Sequence, residues 1–320
     1  MRDNGIVYAL TGERERGVVT GYHQKPSPNL LNTGAKSSDI KNLKKKDKVN
    51  IIKLSHDDEH KSRFTIGFEI EKTSLHRNSV KEYELFCGFE RDGSCGYEAV
   101  THILPLVGDS TWKTKVFDMM WKARKILDDT HSPSDKRCGG HITVAVQDVT
   151  GISLMAKLRK YSGILYAIYK GRLKNTYCAG NNRMLSNDEI IQLRDLMDID
   201  HGSVEQVHRG CVRRNGRYEL AVFKDSPYSE GCPIEFRLPS RVSSVHLLMR
   251  RYELLYELVN TAVNDDKCTF KSFIRKVRPI VMSMYDGDSQ KVAEVLRLAD
   301  SFQNYINTGV LTDDIRKYIV

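Results

Sequence analysis

The sequence predicts a mixed fold in which amphipathic strands form a sheet backed by helices, and three observations lead there. Phe64 to Glu71 and Ile234 to Leu238 alternate apolar and charged residues at the period of a β-strand. From Ser243 onward the apolar residues recur instead at helical spacing. With 320 residues and 40% hydrophobic content, the chain can bury a substantial core as one large domain or two ordinary ones.

Taken in order, residues 1–62 read as an extension, mobile or peripheral. Glycine and proline punctuate it, apolar periodicity is weak, and Lys41 to Lys48 is a basic run. The next segments predict strands at Phe64–Glu71, Tyr83–Phe89 and Tyr97–Thr101, with a turn at Asp92-Gly93-Ser94. Trp112–Leu127 has helical spacing, with Thr111 as its candidate N-cap and the tryptophans as core residues. Gly139-Gly140 opens a strand with His141, Thr143 and Ala145 on one face and Ile142, Val144 and Val146 on the other. Helix is expected at Ser153–Arg172, a loop at Asn175–Ser186, a short helix at Asp188–Asp198 and strands at Tyr218–Phe223 and Ile234–Leu238. Four helices close the chain, at Val245–Val263, Phe270–Met284, Gln290–Ile306 and Thr312–Ile319. Their amphipathic pattern suits cover for the back of a sheet. One folded domain spanning residues 63–320, with the C-terminal helices packed on the sheet, is the resulting expectation.

No apolar run approaches the length of a membrane span, and the first residues lack the apolar core of a secretory signal. A soluble, cytoplasmic protein without membrane contact is expected. The seven cysteines are scattered and odd in number, which favours reduced thiols over a disulfide framework. Cys138-Gly-Gly-His141 has the spacing of a zinc half-site or a thiol–imidazole pair, but neither a second metal half-site nor an orienting partner is apparent. The net charge of +9 favours anionic partners. Part of it lies in residues 1–63, with 13 Lys or Arg against 8 Asp or Glu, and the acid-free stretch from Val149 to Asn187 adds a second basic region.

The strand pattern carries the chemistry. Glu69 and Glu71 share the face of their strand opposite Phe68 and Ile70, and Glu235 and Arg237 lie opposite Ile234, Phe236 and Leu238. Charges repeated on one side of an apolar strand need water, metal or counter-charge to offset desolvation. With Asp92, Glu98 and His141, they supply five carboxylates and an imidazole, a donor set for hard divalent ions. An arginine beside them can fork onto a phosphoryl group.

In chain order, Gly67-Phe68-Glu69-Ile70-Glu71, Asp92-Gly93-Ser94 with Gly96-Tyr97-Glu98-Ala99-Val100, Cys138-Gly139-Gly140-His141 and Ile234-Glu235-Phe236-Arg237 form a more specific pattern. This pattern resembles the amidoligase-like branch of the glutamine synthetase and glutamate-cysteine ligase superfamily, over about Phe64 to Val259. The resemblance implies an α+β catalytic domain with a curved, mainly antiparallel sheet forming a funnel and helices outside. It implies ATP and Mg2+ or Mn2+ as cofactors and an activity that joins a carboxylate to an amine through an acyl phosphate, releasing ADP and phosphate. It further implies Glu69, Glu71, Asp92, Glu98 and Glu235 as metal ligands and His141 near metal and phosphate. Arg237 would stabilise the transferring phosphoryl group, with Arg183 or Arg217 assisting it or holding a substrate carboxylate. Two departures stand out: Thr143 replaces a second histidine, and Thr101-His102 replaces the usual Ser-Pro.

Two alternatives belong to other classes. One is a nucleic-acid or polyanion-binding module, using the basic N-terminal segment and the acid-free stretch. The other is a catalytically inactive relative with an interaction role. The resemblance implies as substrates a carboxylate and an amine on small molecules, peptides or protein side chains, and a homo-oligomer is compatible with it.

Overall fold

The computed structural model describes residues 8–9, 63–102, 104–178, 184, 188–189, 191, 220–224, 227–228 and 230–320. Strands β1 (Tyr8–Ala9), β2 (Phe64–Lys72), β3 (Phe86–Asp92), β4 (Gly96–Thr101), β5 (Leu104–Pro105), β6 (Ile142–Val146), β7 (Ala221–Phe223) and β8 (Ile234–Phe236) form one open sheet. Their order is β1–β3–β4–β2–β6–β8–β7, with β5 paired to β2. The pairs β1–β3, β3–β4, β2–β4, β2–β5 and β2–β6 are antiparallel. With the helices below, this is an α+β architecture.

β2 is the axis of the sheet, because its two halves pair with different strands. Phe64 to Phe68 lie against β6 in the register Phe68↔Ile142, while Glu69 to Lys72 lie against β4 in the register Glu71↔Glu98. The alternation that identifies β2 therefore continues into both neighbours. Facing residues in an antiparallel pair share a sheet face, so Glu69, Glu71 and Glu98 are carried together. On the other face Phe68 and Ile70 are buried with Ile142 and Ala99.

The turn between β3 and β4 falls where Gly93 and Ser94 predict it, and β4 begins at Gly96 with φ of 121°. A β-carbon at Gly96 would stand 2.9 Å from Thr73 O, so glycine is required there for both conformation and space. The strand expected at Tyr83–Phe89 is displaced to β3. Helix α1 (Arg77–Lys81) and a turn occupy the preceding residues, and Phe86 N–H donates to Tyr83 O at 3.2 Å.

The expected helix Trp112–Leu127 is two, α2 (Thr111–Lys122) and α3 (Arg124–Leu127), which meet at Ala123. Ser110 rather than Thr111 caps α2, its hydroxyl accepting from Lys113 N–H at 3.2 Å. Trp112 is buried, but Trp121 is 46% exposed and packs beside His246, so only the first tryptophan is a core residue.

The chain divides into two compact units: residues 1–149, 223–235 and 239–256, and residues 150–222, 236–238 and 257–320. In the second, the expected helix Ser153–Arg172 is α4 (Gly151–Arg159), α5 (Gly163–Ile168) and a 3-10 turn at Lys170–Arg172. Lys160, Tyr161 and Ser162 each bond three residues back, which tightens and ends α4. Gly163 N–H donates to Gln303 Oε1 at 2.9 Å instead of continuing the helix.

Helices α6 (Val245–Asn264), α7 (Phe270–Met284), α8 (Ser289–Thr308) and α9 (Asp313–Ile319) follow the expected sequence pattern closely. The first twelve residues of α6, through Tyr256, belong to the first unit and the rest to the second. α8 packs on α5, where Ala299 O would stand 2.5 Å from a β-carbon at position 163. Glycine admits this close approach. No helix among the described residues is long and apolar enough to cross a membrane.

Candidate metal centre

Both faces of β2 are covered, so the charged face is not the solvated one that alternation alone would suggest. Glu69 is 5% exposed, Glu71 4%, and Glu98 and Glu235 are 0%. Carboxylates so placed need compensating partners, and the first unit supplies them locally.

His141 is the hub. It immediately precedes β6, and its carbonyl accepts from Glu69 N–H at 3.0 Å, which extends the β2–β6 register and brings the two side chains onto one face. His141 Nδ1 lies 2.7 Å from Glu69 Oε2 and 3.8 Å from Glu235 Oε1, while Nε2 lies 3.5 Å from Glu71 Oε1. The other oxygen of Glu71 accepts from Gly139 N–H at 2.5 Å. Gly139-Gly140 thus brings backbone close to the acids. Gly140 has no room for a side chain, since a β-carbon would stand 2.5 Å from Ser240 O and 2.8 Å from the Arg251 guanidinium.

Glu69, His141 and Glu235 each offer a ligand atom, and these atoms all lie within 4.8 Å of one another. An ion roughly 2.0 to 2.5 Å from each would span that separation. Electrostatics points the same way. Four buried carboxylates, Glu69, Glu71, Glu98 and Glu235, are gathered here, and Lys224 on Glu235 offsets part of their charge. A hard divalent cation would offset the remainder in oxygen-rich surroundings.

The sequence-predicted residues separate as follows. Glu69, Glu71, His141 and Glu235 are brought together, and Glu98 faces Glu71 across the β2–β4 register. Asp92 ends β3 opposite Gly96, but its side chain lies outside the described residues. Arg237 is 4% exposed and falls in the second unit, where its backbone N–H donates to Leu220 O at 2.9 Å and its Nε to Tyr177 O at 3.4 Å. Arg183 and Arg217 lie outside the described residues, as do the basic segment Lys41–Lys48 and most of the Asp188–Asp198 helix.

Two described residues of the acid-free stretch have acidic partners in the second unit, and a third donates to a carbonyl there. Lys157 pairs with Asp266 at 3.2 Å, Lys170 pairs with Glu294 at 2.8 Å, and Arg159 donates to Ile306 O at 2.5 Å.

Sequence reasoning missed two lysines. Lys224 follows β7, its N–H donates to Pro233 O at 3.0 Å, and its ammonium donates to Glu235 Oε2. Nothing periodic marks it. Lys72 is 0% exposed at the end of β2, on the face opposite Glu71, and donates to Leu127 O at 2.8 Å, Val242 O at 2.8 Å and Asp129 Oδ1 at 3.0 Å. Burial holds its ammonium below the usual lysine pKa despite Asp129. The signal was an unpaired charge following an alternating strand, where the period puts it on the apolar side.

Two further titratable groups of the first unit have shifted pKa values. Cys138, next to Gly139, is hydrogen-bonded by Cys95, which holds its thiol below the ordinary value. His102, which follows β4, is buried, and desolvation lowers its pKa to about 4. No protein-family model and no curated protein matches this sequence.

Proposed function

We propose that the Glu69–His141–Glu235 centre holds a divalent cation and that the protein is an ATP-dependent carboxylate–amine ligase of the glutamine synthetase-like class. The observation supporting this reading is the meeting of acids from separated strands around one imidazole, all buried and all within reach of a single ion. Such a donor set fits Mg2+ or Mn2+, with two carboxylate oxygens and one nitrogen leaving coordination positions for phosphate oxygens and water. The cation would supply neutralisation of phosphate charge during phosphoryl transfer.

The chain's own residues have distinct roles in this reading. Glu69 and Glu235 present oxygens to the ion, and Glu69 also orients the His141 ring through Nδ1. Glu71 is fixed by Gly139 N–H and faces the second ring nitrogen. Glu98, buried opposite Glu71, adds the negative charge that favours a second ion. Arg237 carries over from the resemblance as the cation for the transferring phosphoryl group. The carboxylate substrate would attack the terminal phosphorus of ATP, displace ADP and become an acyl phosphate. The amine would then displace phosphate and form the amide.

The experiment is positional isotope exchange with ATP labelled at its β,γ-bridging oxygen, using magnesium and a panel of carboxylates without amine. Scrambling of the label with an active carboxylate, followed by ADP and amide formation when an amine is added, supports the reading. Absence of both scrambling and amine-dependent ADP release across amino-acid, polyamine and peptide panels would count against it.

A further inference from the structure

Lys224 and Lys72 each pair with an acid, yet their surroundings differ. Lys72 is fully buried and held by two carbonyls and a carboxylate. Lys224 is held at its backbone by Pro233 O, while its side chain is 18% exposed and its ammonium meets Glu235 Oε2. Glu235 is itself fully buried, and its other oxygen faces His141 Nδ1. One oxygen therefore belongs to the three-ligand cluster and the other to a cation with a route toward solvent.

We propose that Lys224 is an exchangeable counter-ion, occupying Glu235 when the centre lacks a divalent cation and turning to an oxyanion of the ligand when the cation binds. This inference rests on the cation-binding reading above and adds a residue that the sequence pattern did not identify. A dication bound through Glu235 stands within a few ångströms of the ammonium, and their repulsion is strong away from bulk water. One partner must yield. The lysine stem rotates about four carbons and carries a compact charge with three donors, whereas the carboxylates are fixed on strands. Released from Glu235, the ammonium needs a new acceptor. A phosphoryl oxygen brought by the nucleotide supplies one and leaves the charge compensated.

The exchange makes cation and anion binding cooperative, because each removes a cost borne by the other. The test uses the full chain and two probes, Mn2+ and inorganic tripolyphosphate, measured by titration calorimetry. Wild type should bind Mn2+ more tightly when tripolyphosphate is present. Lys224→Met should bind Mn2+ alone about tenfold more tightly, because its competitor is gone, and bind tripolyphosphate in the Mn2+-loaded state about tenfold more weakly. Lys224→Arg, which keeps the charge, should retain tripolyphosphate binding within about threefold of wild type.

Unchanged affinity for both probes in a folded Lys224→Met variant overturns the exchange, and so does weaker Mn2+ binding, which would make the lysine a support for Glu235. Should Lys224→Met fail to fold, absence of Mn2+–tripolyphosphate cooperativity in wild type overturns it equally. Wild type that takes up no Mn2+ removes the cation centre and the exchange together. Mn2+ uptake without any effect of Lys224 removes the exchange alone.

Discussion

Replacing His102 by leucine should flatten the acid limb of the stability curve. His102 is 8% exposed, and its Nδ1 has no hydrogen-bond partner among the described residues. Desolvation lowers its pKa from 6.5 to about 4. The unfolded chain therefore takes up a proton as pH falls through about 6.5, while the folded protein resists until about 4, so stability falls with pH across that window. Linkage over the full interval gives about 3 kcal/mol, and roughly 2 kcal/mol of it is lost between about pH 7 and about pH 5. Leucine keeps the backbone donor that His102 uses toward Leu85 O and removes the titrating ring. Urea unfolding of both proteins at the two pH values isolates the contribution, since carboxylates shared by the two proteins cancel. Wild type should lose about 2 kcal/mol more than His102→Leu on acidification. Equal losses would mean that the ring is hydrated or paired in solution, and the desolvation argument would fail.

Lys72→Met should destabilise the fold by about 3 kcal/mol in chemical denaturation, because Leu127 O and Val242 O lose their buried charged donor. A loss below about 1 kcal/mol would show that water replaces the ammonium. Gly140→Ala should cost about 1 to 3 kcal/mol in the same assay, since the added methyl group meets Ser240 O and Arg251. It should also weaken Mn2+ binding by shifting His141, and a neutral outcome in both measurements would show that this segment yields without strain. Glu71→Gln should weaken Mn2+ binding less than Glu69→Gln, because Glu71 lies outside the three-ligand cluster. Calorimetry that reverses this order would reassign the ligands.

Much of the centre was legible because a strand period of two is rigid: once Phe68 and Ile70 are taken as core, Glu69 and Glu71 must share the other face. Chain order then joined them to Glu98, His141 and Glu235, which the registers and ion pairs bring near one another. Burial of the charged face was not legible, because covering a sheet depends on chain segments far away in sequence. The same applies to Lys224, a single residue beyond a short strand, whose importance comes from Glu235 being opposite it. Local competition hid other features. Ser110 and Thr111 are both competent caps, and the hydrogen bond from Lys113 decides between them. Apolar spacing continues past Arg159, but Lys160, Tyr161 and Ser162 bond three residues back and end the first helix, and Gln303 takes the Gly163 amide where the next begins.

The most direct measurement is Mn2+ titration followed by the electron paramagnetic resonance signal of the free ion. Wild type should remove at least one equivalent, while Glu69→Gln, His141→Gln and Glu235→Gln should each weaken uptake by about tenfold or more with the fold retained. A wild-type protein that leaves the free-ion signal unchanged, or three folded variants that bind as wild type does, would contradict a cation held between these strands.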